Sequence, residues 1–145
     1  MAKTSFPYVP FPISASSAHP QGTTAHRPLA FATITASNGN SIRWVVLLDT
    51  GADACLFPLS LAIMLKLDLL QLPKDMTGGV GSQKNLTYYD TLTIDLGHGI
   101  VFKAYAGFTE GMDSVGLGLL GQSGSFEAYV VEFRHCDKVF TIEHL

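Results

Sequence analysis

Short stretches in which apolar and polar residues alternate recur along most of the chain, divided by glycine, proline and asparagine. The clearest runs from Leu86 to Leu96. Leu86, Tyr88, Leu92, Ile94 and Leu96 fall on one side, with Thr87, Tyr89, Thr91, Thr93 and Asp95 opposite. A period of two is that of a strand burying one face. Gly97-His98-Gly99 turns the chain, and Ile100 to Phe108 alternates again. Earlier, Leu29 to Ala36 and Ile42 to Leu48 flank Ser37-Asn38-Gly39-Asn40. Asn-Gly between such runs predicts a hairpin, because both residues tolerate positive φ. The second run ends in Trp44-Val45-Val46-Leu47-Leu48, apolar on both faces, as a central strand is. Gly116 to Gly121, Ala128 to Phe133 and Val139 to Ile142 complete the strands, with His135 to Lys138 as a turn.

Helix is scarce. Leu59 to Leu67 is the best candidate, with Pro58 at its first turn and Leu59, Ile63 and Lys66 or Leu67 on one side. From Phe6 to Ile13 three prolines remove three N–H donors, which permits only an edge strand or an extended arm. Ser14 to Arg27 is small, polar and broken by Pro and Gly, and reads as a surface loop. The expectation is a mostly β, closed or sandwiched fold with one short helix. Residues 1–28 form an arm and loop, and residues 29–145 a single domain.

Composition removes several function classes. With 47% hydrophobic and 14% charged residues the chain is not disordered. A net charge of −3 and the lack of any basic cluster argue against nucleic acid as a partner. The N-terminus lacks the apolar core of a signal peptide, and Pro58 and Ser60 interrupt the stretch from Leu56 to Leu65. That stretch falls far short of the roughly 20 residues that span a bilayer. Cys55 and Cys136 make no disulfide framework, which indicates a soluble, cytoplasmic protein with free thiols. The five histidines have no zinc spacing, so neither metal nor cofactor is expected. Cys55 reads as a core thiol.

One motif could carry chemistry. Asp49-Thr50-Gly51-Ala52-Asp53 follows an apolar strand, which delivers a carboxylate to the rim of the core. Gly51 allows close backbone approach and offers an N–H to a carboxylate. The same residues could equally form a strand-ending turn in which Asp and Gly serve geometry alone.

Leu47-Leu48-Asp49-Thr50-Gly51-Ala52-Asp53 resembles the signature of the retropepsin-like aspartic peptidases, including their single-domain bacterial members. Their second mark, an apolar-apolar-Gly segment packed beneath the catalytic loop, is matched by Leu119-Leu120-Gly121, whose glycine lies 72 residues beyond Asp49. Gly78-Gly79-Val80-Gly81 stands where such enzymes carry a glycine-rich flap, though glycine clusters are often plain turns. The resemblance extends from about Leu29 to Phe133 and implies the retropepsin fold, acting as a homodimer on extended polypeptides.

The chemistry needs two carboxylates. Amide hydrolysis without metal or nucleophilic side chain requires a base to activate water and an acid to protonate the tetrahedral oxygen. Two carboxylates sharing one proton supply both, as in the known aspartic proteases. This chain has a single Asp-Thr-Gly; Asp90, Asp95 and Asp113 are not followed by Thr-Gly or Ser-Gly. A two-fold dimer would place Asp49 beside its copy.

The resemblance assigns Asp49 as shared acid and base and Thr50 as the link between the two catalytic loops. It makes Gly51, Ala52 and Asp53 substrate contacts, and Gly79, Val80 and Gly81 the flap tip. Two features depart from it. Viral members place an Arg after the second-motif glycine, paired with the acid equivalent to Asp53; here Gln122 follows Gly121. They also interleave their termini into a dimer sheet, whereas this chain carries a proline-rich arm and ends in Phe140-Thr141-Ile142-Glu143-His144-Leu145. The alternatives are a non-catalytic peptide-binding or dimerisation module of the same fold and, more distantly, a metal- or thiol-dependent hydrolase.

Overall fold

A computed structural model describes residues 3–78 and 83–145. Seven strands form the main sheet: β4 (Leu29–Thr35), β5 (Ser41–Leu48), β6 (Leu56–Pro58), β7 (Lys74–Thr77), β8 (Asn85–Asp95), β9 (Val101–Thr109) and β10 (Gly118–Leu120). Their order is β4-β5-β10-β6-β9-β8-β7. The sheet closes on itself, because Thr33–Thr35 of β4 also pair with Thr93–Asp95 of β8. The strands expected from alternation are all present, and the closed β architecture with them.

β10 is threaded between two strands that are close in sequence. It runs parallel to β5, Leu120 opposite Leu48, and antiparallel to β6, Leu119 opposite Leu56. Side chains from the inward faces fill the ring, with Ile34, Val46, Phe57, Leu92, Ile94, Phe108 and Leu120 fully buried. Gly118 sits in this core because a Cβ there would run into the Phe57 ring.

The hairpin between β4 and β5 is built differently from the expectation. Of Asn38 and Gly39 only Gly39 has positive φ, +88°. The Asn38 side chain is used instead: its Nδ2, and that of Asn40, donate to the Leu65 carbonyl at 2.9 Å each. Leu65 ends α1 (Leu59–Met64), so the hairpin tip caps a helix C-terminus. α1 is shorter than the apolar spacing suggests because Lys66 turns left-handed, φ +58°, and Leu67 N–H closes back on Ala62.

Three further corrections concern the ends of the chain. The reading of Phe6 to Ile13 as one edge element gives way to two strands, β1 (Lys3–Pro7) and β2 (Val9–Ile13). The segment read as a surface loop contains β3 (Thr23–Arg27), which pairs with β2. A second helical segment, α2 (Gln122–Ala128), follows β10 where no helix was expected; Ser123 and Gly124 inside it are non-helical, with Gly124 at φ +97°.

β1 and the closing hairpin β11 (Tyr129–Arg134) and β12 (Val139–His144) form a separate sheet of order β1-β12-β11, so the two ends of the chain pair with each other. Phe6 stacks on Phe140, centroids 5.0 Å apart. The Tyr129 hydroxyl accepts from the Val101 N–H at 3.1 Å and donates to the Val101 carbonyl at 3.0 Å, tying this sheet to the ring.

Candidate active site

The loop after β5 is held almost entirely by backbone. Asp49 N–H donates to the Leu120 carbonyl at 3.0 Å, which continues the β5–β10 pairing one residue past the strand. Ala52 N–H donates to the Asp49 carbonyl at 3.2 Å. The Gly51 N–H donates to Asp49 Oδ1 at 2.9 Å, so the carboxylate is oriented by its own loop. A Cβ on Gly51 would stand 3.2 Å from that oxygen, so the third position of the motif is kept bare beside the carboxylate.

The segment after β10 grips this loop from the other side. Gln122 N–H donates to the Ala52 carbonyl at 2.8 Å, Ser123 N–H to the Asp53 carbonyl at 2.9 Å, and Gln122 Nε2 to the Thr50 carbonyl at 2.8 Å. Gly121 makes the approach possible: a Cβ there would lie 2.7 Å from the Ala52 carbonyl oxygen and closer still to that of Ala54. The two motifs, far apart in sequence, thus interlock. The Gln122 side chain serves a backbone carbonyl, and not the Asp53 carboxylate.

Asp49 is half-buried, and Thr50, Gly51 and Asp53 are exposed on the same loop. Both backbone polar groups of Ala52 are used within the fold, to Asp49 and Gln122. Among the described residues no donor reaches the Gly51 carbonyl or the Asp53 carboxylate, and the Thr50 hydroxyl has no partner. These are the groups of the loop that remain for contacts outside the fold.

Gly79, Val80 and Gly81, the expected flap tip, lie outside the described residues. The strands on either side are described. β7 and β8 pair antiparallel with Thr77 opposite Asn85, and the Thr77 and Thr87 hydroxyls hydrogen-bond across the pair. The segment from 78 to 84 therefore joins two paired arms.

A cleft of about 240 Å³ opens beside these arms, lined by Leu59, Asn85, Leu86, Tyr88 and Glu110. It explains a departure from the sequence pattern. The pairing of β8 with β9 is unbroken from Thr87 to Asp95, so Leu86 and Tyr88 share a face with Leu92 and Ile94. Yet Leu86 is 43% exposed while Thr87, on the opposite face, is fully buried. The inward row leaves the packed ring at Tyr88 and becomes the wall of the cleft.

Cys55 is a core thiol. It is buried immediately after the loop, its Sγ is 3.7 Å from the Ser123 carbonyl oxygen, and burial pushes its thiol up. Among the described residues no group of three or more His, Cys, Asp and Glu comes together, and no helix is long and apolar enough to cross a membrane.

The chain resembles a solved structure described as a retropepsin-like aspartic protease from Rickettsia conorii. The match covers 97% of this chain and 98% of that one, with a TM-score of 0.55 at 18% identity. The fold is retropepsin-like. No protein-family model matches the sequence, and no curated protein does. Gln122 and the cleft residues were the parts of the site that sequence reasoning did not assign. For Gln122 the signal was present, a side chain with a donor directly after the motif glycine, whereas the cleft is assembled from three elements whose proximity no spacing reveals.

Proposed function

We propose that this chain is one half of an aspartic-type endopeptidase, completed when two copies bring their Asp49 carboxylates together. The observation that carries this reading is the interlock of Asp49-Thr50-Gly51 with Leu120-Gly121-Gln122, which fixes a carboxylate at the rim of the core beside unsatisfied groups of its own loop. In the dimer one Asp49 is ionised and takes a proton from the attacking water, while the other is protonated and gives its proton to the carbonyl oxygen. Thr50 hydroxyls link the two loops. The Gly51 carbonyl and Asp53 carboxylate receive N–H groups of an extended polypeptide, Ala52 walls that contact, and Gly79, Val80 and Gly81 close over the chain from above. The cleft beside Leu86 takes a substrate side chain.

The test is cleavage of an unfolded protein across roughly pH 3 to 7, wild type against Asp49→Asn. Activity that disappears in the variant, and rises more steeply than linearly with protein concentration, supports the reading. Equal background from both proteins, at concentrations where sedimentation shows a dimer, favours a non-catalytic peptide-binding or dimerisation module instead.

A further inference from the structure

Two hydrogen bonds of the loop share one peptide group. Gln122 Nε2 donates to the Thr50 carbonyl at 2.8 Å, and the N–H of that same Thr50–Gly51 amide donates to Asp49 Oδ1 at 2.9 Å. Among the described residues no peptide bond is cis, so the C=O and N–H of this amide point in opposite directions within its plane. Holding the carbonyl from one side therefore aims the N–H on the other. Donation to the oxygen also draws charge through the amide and makes its N–H a stronger donor, the polarisation expected along a chain of hydrogen bonds.

Gln122 is well placed for this task. Its own backbone N–H is fastened to the Ala52 carbonyl at 2.8 Å, so one residue meets the loop at two points. Its partner, a carbonyl, accepts only, which fixes the side-chain amide with nitrogen toward the loop.

We infer that Gln122 is a positioning residue, acting on Asp49 through the Thr50–Gly51 peptide to orient the carboxylate. This rests on Asp49 being the catalytic acid and base. Its task differs from that of the arginine found there in viral relatives, which serves an acid side chain.

The experiment compares wild type, Gln122→Ala, Gln122→Glu and Gln122→Lys in the full chain. Glu keeps the shape and, once ionised, loses the donor; Lys keeps an N–H donor on an unbranched stem. For Ala and Glu the expected result is a roughly tenfold fall in kcat, as for one lost hydrogen bond, with KM changed less than about twofold. Lys recovers most of the lost kcat. A second readout needs no turnover: the Gly51 amide proton resonance moves upfield in Ala and Glu and returns in Lys. A Gly51 resonance that stays put overturns the inference. So does a shifted resonance with unchanged kcat while Asp49→Asn is inactive, and the peptidase reading then survives alone. A wild type that cleaves nothing overturns the reading of Asp49 and this inference with it.

Discussion

Asp49 and Asp95 each follow or end a strand, and each accepts through Oδ1 the N–H of the glycine two residues on, at 2.9 Å for Gly51 and 2.8 Å for Gly97. Locally the two turns are alike. They differ in what holds them. The Asp95 turn is closed by its own hairpin, with reciprocal bonds between Leu96–Gly97 and Ile100. The Asp49 loop is held by Leu120, Gln122 and Ser123, from far along the chain. The glycines differ as well. Gly97 has φ +82° and open space around it, whereas Gly51 has no positive φ and would crowd the carboxylate if it carried a Cβ. An Asp-X-Gly turn is thus ordinary architecture; the remote clasp is what sets the Asp49 loop apart.

Substitutions can break this comparison, and the largest effect is expected at the aspartates themselves. Asp49→Asn keeps an acceptor for the Gly51 N–H and should fold, yet peptide cleavage should drop about a thousandfold or more, while Asp95→Asn leaves turnover unchanged. Equal activity of the two variants would remove the distinction.

At the glycines the two losses should separate. Gly97→Ala forces a left-handed alanine and costs about 1–2 kcal/mol in denaturant unfolding with no change in kcat. Gly51→Ala should leave the unfolding midpoint nearly unmoved and lower kcat tenfold or more by pushing on the carboxylate. A stability loss in both would make Gly51 another turn glycine.

Asn38→Ala removes one of the two side-chain donors to the Leu65 carbonyl and leaves that of Asn40, with an expected cost of up to about 1 kcal/mol and no effect on kcat. A fall in kcat would show that the hairpin tip and the loop are coupled.

The smallest effect is expected at Cys55. Its ordinary value is 9.0, and burial keeps the thiol protonated in the fold above that point. The unfolded chain then releases a proton that the folded one retains, so stability should decline as pH rises past 9. Cys55→Ala should flatten that decline, and iodoacetamide should label exposed Cys136 and spare Cys55 in the native protein.

Alternation located β8 and β9 because each buries one face, whereas β6 (Leu56–Pro58) and β7 (Lys74–Thr77), too short to show a period, were not expected as strands. It failed where burial is not set by the strand itself. Leu86 keeps its inward direction but meets the cleft, and Thr87 is buried by Thr77 and Gly107, which no local pattern encodes. β3 was missed because Thr-Thr-Ala-His-Arg lacks apolar alternation and is a strand only through its pairing with β2. α2 was missed because its first turn is non-helical at Ser123 and Gly124, bent to reach the Asp49 loop. The motif could be read from its residues. Its clasp could not, since that depends on where Gln122 arrives in space.

The threading of β10 between β5 and β6 also governs when the Asp49 loop is clasped. The strands flanking the loop reach each other only through Gly118–Leu120, so closing a segment of some seventy residues precedes the final geometry. A chain still being synthesised, with residues after 117 not yet made, lacks every bond that Leu120, Gln122 and Ser123 give to the loop. The nascent chain therefore emerges with its Asp49 loop unclasped.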